Sequence, residues 1–105
     1  SGNSFVHETE SQVILNGSYN INFTMDLVLK DTGLFDDLAK KLGAPLEISP
    51  KVVEIFKDGQ KKYGSRAWSS MIVKRMEDLN QIDFRADGFP EELTDNEPEE
   101  KGYEI

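Results

Sequence analysis

Phe23-Thr24-Met25-Asp26-Leu27-Val28-Leu29-Lys30-Asp31-Thr32-Gly33-Leu34-Phe35-Asp36-Asp37 is the stretch whose reading decides the fold. Leu27, Leu34, Leu38 and Leu42 recur at gaps of seven, four and four, with Phe23, Val28 and Phe35 beside them. That spacing predicts a helix from about Phe23 to Leu42. Asn22 is placed to cap it, and Asp26 suits a first turn, where a negative charge meets the positive end of the helix dipole. Gly43 ends the segment and Pro45 prevents its resumption. Gly33 is out of keeping, because glycine inside a helix costs about 1 kcal/mol relative to alanine. What it offers in return is close approach of another backbone or a ligand.

Working outward, Ser4 to Leu15 reads as a helix with Phe5, Val6, Val13 and Ile14 imperfectly on one face, stopped by Asn16-Gly17-Ser18. Downstream, Ser49-Pro50 reads as an N-cap followed by proline at the first helical position. Val52, Val53, Ile55 and Phe56 then supply an apolar face, Lys61 and Lys62 suit the last turn, and Gly64 closes the helix. A fourth helix is expected from about Arg66 to Ile82, on Trp68, Met71, Ile72, Met76 and Leu79 at spacings of three and four. The alternation at Tyr19, Ile21 and Phe23 is too short for a strand. The expected fold class is therefore all-α.

The chain has 105 residues and a formal net charge of −8. One small domain with a modest core is all that such a length supports. Residues 83–105 hold nine acids against Arg85 and Lys101, whereas residues 1–82 hold eleven acids and ten bases. The expected division is thus a helical body over 1–83 and an acidic tail over 84–105, mobile or loosely docked. No basic patch speaks for nucleic acid. No apolar run is long enough to span a membrane, and the first residues do not resemble a secretory signal. The absence of cysteine excludes disulfides and thiolate metal sites, and a cytoplasmic location is the natural expectation.

Most catalytic machinery is missing. His7 is the only histidine, so neither a histidine pair for a metal nor a Cys–His nucleophile can form. Asp31 and Asp37, six residues apart on one helix, lie on different faces and make no general acid/base pair. Asp31-Thr32-Gly33 lacks the ligand spacing of a calcium loop. The expectation is no metal site and no catalytic residue. Lys30-Asp31 beside the helix-weakening Gly33 is the one feature that a plain surface helix does not explain.

On those residues the sequence resembles the β-hydroxyacid dehydrogenases, the family of 3-hydroxyisobutyrate, tartronate semialdehyde and 6-phosphogluconate enzymes. Its motif near the cofactor is a phenylalanine, a Lys-Asp-Leu-Gly seven residues on, and an aspartate four further. Phe23, Lys30, Asp31, Gly33 and Asp37 match, while Thr32 replaces the usual leucine and Phe35 the usual small residue. Leu42-Gly43-Ala44-Pro45-Leu46 is similar to the family's approach to its next helix, with Glu47 where proline is common. Tyr63-Gly64 and Trp68-Ser69-Ser70 resemble a third stretch, with Ala67 in place of aspartate and a spacing about one residue short. Upstream, the stretch from Ser1-Gly2-Asn3-Ser4 to Gly17-Ser18-Tyr19 resembles the family segment just before the motif. The likeness covers roughly residues 1–80.

The resemblance implies an all-α C-terminal domain of an NAD- or NADP-dependent enzyme acting on a small hydroxyacid. The Gly-rich turn of a Rossmann domain and the catalytic lysine of the linking helix have no counterpart here and would precede Ser1. By position, Lys30 would face the nicotinamide end of the cofactor, Phe23 would wall the pocket and Asp31 would anchor hydrogen bonds at its edge. Gly33 would let its helix approach a neighbour closely, and Asp37 would bond within the domain. Lys30 is not the general acid/base. The fragment alone is expected to be inactive, and homo-oligomers are expected, covering apolar surface such as Phe5, Trp68 or Met71. The alternative reading is a stand-alone helical interaction module whose acidic tail binds a basic partner.

Overall fold

A computed structural model describes residues 1–91, 93, 98 and 100–102. Among them are four α-helices, α1 (Phe5–Asn16), α2 (Met25–Leu42), α3 (Ser49–Tyr63) and α4 (Lys74–Asn80), with a 3-10 turn at Ser69–Val73 leading into α4. No strand forms among the described residues, and the fold is all-α as expected. Most of the acidic stretch from Glu91 to Glu100 lies outside the described residues.

α1 begins because the Ser4 side chain accepts a hydrogen bond from the His7 N–H at 3.0 Å, and it ends at Gly17, which is left-handed at φ 85°. α2 ends in the same way at Gly43, whose N–H bonds back to Ala39 and Lys40. α2 and α3 are joined by six residues and pack against each other, while α1 packs on the 3-10 turn.

Two caps differ from expectation. Asn22 does not cap α2; it lies in the preceding loop at φ 57°, and Thr24 is the N-cap, its side chain bonding none of the helix N–H groups. The first N–H groups of α2 are satisfied from a distance. Met25 donates to the Ala67 carbonyl at 2.9 Å and Asp26 to the Ser65 carbonyl at 3.1 Å. Ser49 does not cap α3 either. It is the first helical residue, after Ile48, and its hydroxyl donates to Asp36 at 2.5 Å.

The fourth helix is shorter than the apolar spacing predicts, for the same reason. Residues 65–69 are spent on the foot of α2. Trp68 is extended at ψ 139° and forms an isolated antiparallel bridge with Thr24, and the Ser69 N–H donates to the Phe23 carbonyl at 2.7 Å. A backbone engaged in that pairing cannot also make helical bonds. Helix therefore resumes only after the 3-10 turn.

The core is small. Val13, Tyr19, Met25 and Ala39 are its buried apolar residues, joined by buried Thr24, Ser69, Ser70 and Glu77. Gly59 is the glycine that allows close packing. A Cβ there would meet Ile72 Cδ1 at 2.7 Å and Met25 Cε at 3.4 Å. Gly33, expected to fill that role, has no neighbour within 4 Å of where its Cβ would lie. The leucine stripe of α2 forms as predicted but faces outward: Leu34, Leu38 and Leu42 are 62%, 54% and 72% exposed.

Candidate functional site

Lys30 and Asp31 stand in the second turn of α2, where the helical spacing puts them. Their side chains pair with each other at 2.9 Å and are 59% and 56% exposed. An exposed pair of this kind contributes little to stability. Lys30 is consequently available to exchange Asp31 for another anionic or carbonyl partner. Phe23 is half-buried two residues before α2, its carbonyl held by the Ser69 N–H. The surface over Gly33, three residues beyond Lys30, is open.

The foot of α2 is rigidly made. The Thr24 hydroxyl donates to Asp26, the Leu27 N–H donates to the same carboxylate at 3.0 Å, and Arg66 donates to its other oxygen at 3.3 Å. The Thr24 bond, with the arginine behind it, holds the Asp26 carboxyl below the usual carboxylate range. Two carboxylates elsewhere are held down similarly. Asp58 accepts from Arg75 at 2.6 Å and pairs with Lys62 at 3.1 Å. Asp78 accepts from Tyr63 at 2.7 Å and from Lys74 at 3.3 Å. Burial, and then Asp78, pushes the Tyr63 phenol up to about 12.

Lys30, Asp31 and the uncovered stretch at Gly33 make an open face of α2, with half-buried Phe23 just before the helix. A cleft of about 540 Å³ lies along Phe35, Leu46, Ile48 and Val52. Another of about 540 Å³ lies beside Leu15, Arg85 and Phe89. Neither includes Phe23, Lys30 or Asp31. Together these positions offer a cation that can exchange its partner, an aromatic ring and a bare stretch of helix. Among the described residues no cluster of three His, Asp or Glu could hold a metal ion, and no helix is long and apolar enough to cross a membrane.

The sequence reading missed one cluster. Tyr19, at φ 54°, donates its hydroxyl to Glu77 at 2.7 Å and accepts from Arg85 at 2.9 Å. Arg85 also reaches Glu77 at 3.3 Å and lies 5.2 Å over the Tyr19 ring. Burial, and then Glu77, pushes the Tyr19 phenol up. These residues come from separate segments at no regular spacing, so no motif announces them.

Residues 1–76 match the family described as NAD-binding of NADP-dependent 3-hydroxyisobutyrate dehydrogenase. L-threonate dehydrogenases from two strains of Escherichia coli are each 30% identical over 74 residues, which is 70% of this chain and 24% of theirs. The chain thus spans about a quarter of the length of the curated relatives it matches. No solved structure gives a significant match.

Proposed function

We propose a function from one premise: the chain belongs to the family of NAD-binding domains of NADP-dependent 3-hydroxyisobutyrate dehydrogenases. Membership supports an NAD(P) cofactor and favours a dehydrogenase-type oxidoreductase as the whole protein's activity. The finer reading is a C-terminal helical domain that closes one side of the nicotinamide and substrate pocket of a larger enzyme acting on a small hydroxyacid. The observation that carries it is the open face of α2. Within the matched residues, Lys30 and Asp31 are exposed and, among the described residues, paired only with each other, beside an uncovered Gly33.

When bound, the nicotinamide supplies the hydride donor or acceptor of such an enzyme. Lys30 would exchange Asp31 for the carboxamide, a ribose hydroxyl or the substrate carboxylate, a charge-assisted bond. Asp31 would then accept a hydrogen bond at the rim. Phe23 would exclude water from one side of the reacting centre. No general acid or base role falls to Lys30.

In the holoenzyme carrying this chain, Lys30→Ala should raise the KM for cofactor or substrate about tenfold or more, with the circular dichroism spectrum unchanged. Wild-type kinetics in that variant would remove Lys30 from the pocket. The 105 residues alone should turn over no hydroxyacid. Homo-oligomers belong to the same reading, since Leu34, Leu38 and Leu42 leave an apolar stripe uncovered. Sedimentation of the holoenzyme as a monomer would refute that part.

A further inference from the structure

The family match stops at residue 76, and the chain then turns back on itself. After α4 the segment 84–90 crosses the C-terminus of α1. Helices leave their last carbonyls without partners, and a cation near that end interacts favourably with the dipole. α1 has no basic residue in its own last turn. Arg85 supplies the cation from 71 positions away, donating at 3.3 Å to the Ile14 carbonyl, which also accepts from the Gly17 N–H at 3.1 Å. The Ala86 N–H donates to the Leu15 carbonyl at 3.0 Å, and the Asn16 amide donates to the Pro90 carbonyl. Gly17 makes the crossing possible, since a Cβ there would lie 2.5 Å from Arg85 Nε.

The same guanidinium reaches the loop that joins α1 to α2. It bonds the Tyr19 hydroxyl, lies over the Tyr19 ring and meets Glu77. Glu77 is 1% exposed, and its second oxygen has no hydrogen-bond partner among the described residues. Without Arg85 this buried carboxylate would keep the Tyr19 hydroxyl alone, and a buried charge stripped of its counter-ion is strongly unfavourable. Tyr19 is also held by its backbone: its N–H donates to Val13 at 3.0 Å, and its carbonyl accepts from Ser70 at 2.6 Å. Four residues later in this loop comes Phe23.

We infer that residues 84–90 are a strap that completes α1 and pins the α1–α2 loop, with Arg85 as its positioning residue. Arg85 touches neither Lys30 nor Asp31. It fixes the conformation from which the chain enters α2. The inference goes beyond the proposed cofactor role and needs no cofactor to be tested.

The test is amide hydrogen exchange on the full chain, wild type against Arg85→Ala and Arg85→Lys. In Arg85→Ala the amides of Tyr19 and Ala86 should exchange about tenfold faster or more, and those of Gly43 and Gly64, which close α2 and α3, should keep their wild-type rates. Arg85→Lys keeps the charge but loses the planar fork, so it should lose about threefold at the same two amides. If Arg85→Ala is too unstable to measure, the lysine variant decides alone. Wild-type rates at Tyr19 and Ala86 overturn the inference. So does an equal rise at all four amides, which would make Arg85 a contributor to global stability with no positioning role.

Discussion

Replacing Gly33 by alanine should stabilise this protein. The substitution falls inside α2, and nothing lies within 4 Å of where the new methyl would sit. Alanine restricts the unfolded chain without meeting anything in the folded one, a gain of about 0.5–1 kcal/mol. For a domain of this size the melting temperature should rise by about 2–8 °C. Gly59→Ala is the internal control, because it carries the same propensity gain inside α3. There the methyl would meet Ile72 Cδ1 at 2.7 Å, and moving that side-chain end off its rotamer costs about 0.5–1.5 kcal/mol. The difference between the variants isolates that clash, and it should favour the Gly33 variant by about 0.5–1.5 kcal/mol. Urea unfolding followed by circular dichroism measures both, with equal slopes confirming that only stability has changed. A Gly33→Ala protein at or below wild-type stability would refute the reasoning. It would mean that the surface over Gly33 is covered in solution, and the open face of α2 would not exist.

Two further expectations concern pH. Asp58 is held down by Arg75 and then Lys62, so its contribution is present above the unfolded value near 3.8 and lost as pH falls through the lower folded value. The melting temperature of Asp58→Asn should therefore fall less than that of wild type on acidification below about pH 4, and parallel curves would show that the pairing does not survive in solution. Tyr63 runs the opposite way: raised from 10.0 to about 12, it contributes fully below 10 and loses that contribution as pH rises toward 12. Spectrophotometric titration should show a late-ionising phenol that Tyr63→Phe removes, and its persistence in the variant would assign it elsewhere.

What could be read from the sequence was what is decided locally. Leucine spacing, Gly43 and Pro45 bound α2 on its C-terminal side, and Gly17 and Gly64 stop their helices, because each acts on its own few residues. The match over residues 1–76 bears out a resemblance resting on Phe23, Lys30, Asp31 and Gly33. What escaped is decided by partners far along the chain. The fourth helix loses its first turns because residues 65–69 serve the foot of α2. Nothing local distinguishes Gly33 from Gly59, since each is a lone glycine on an amphipathic helix and only the arrival of Ile72 makes one of them tight. Arg85 reads as one of two cations in an acidic run, and its partners Tyr19 and Glu77 are separated from it by 66 and 8 positions.

The crossing of α1 by residues 84–90 also orders events in time. On a ribosome α1 emerges well before these partners: Arg85, which joins the Gly17 N–H at the Ile14 carbonyl, and Ala86, whose N–H satisfies the Leu15 carbonyl, are each synthesised 71 residues later. Closing so long a loop must be offset in entropy before its contacts return anything, and such closures come late. A nascent chain released only as far as α4 therefore carries a finished α2–α3 pair and an α1 that still frays at its end. Its maturation waits on residues 84–90 clearing the exit tunnel.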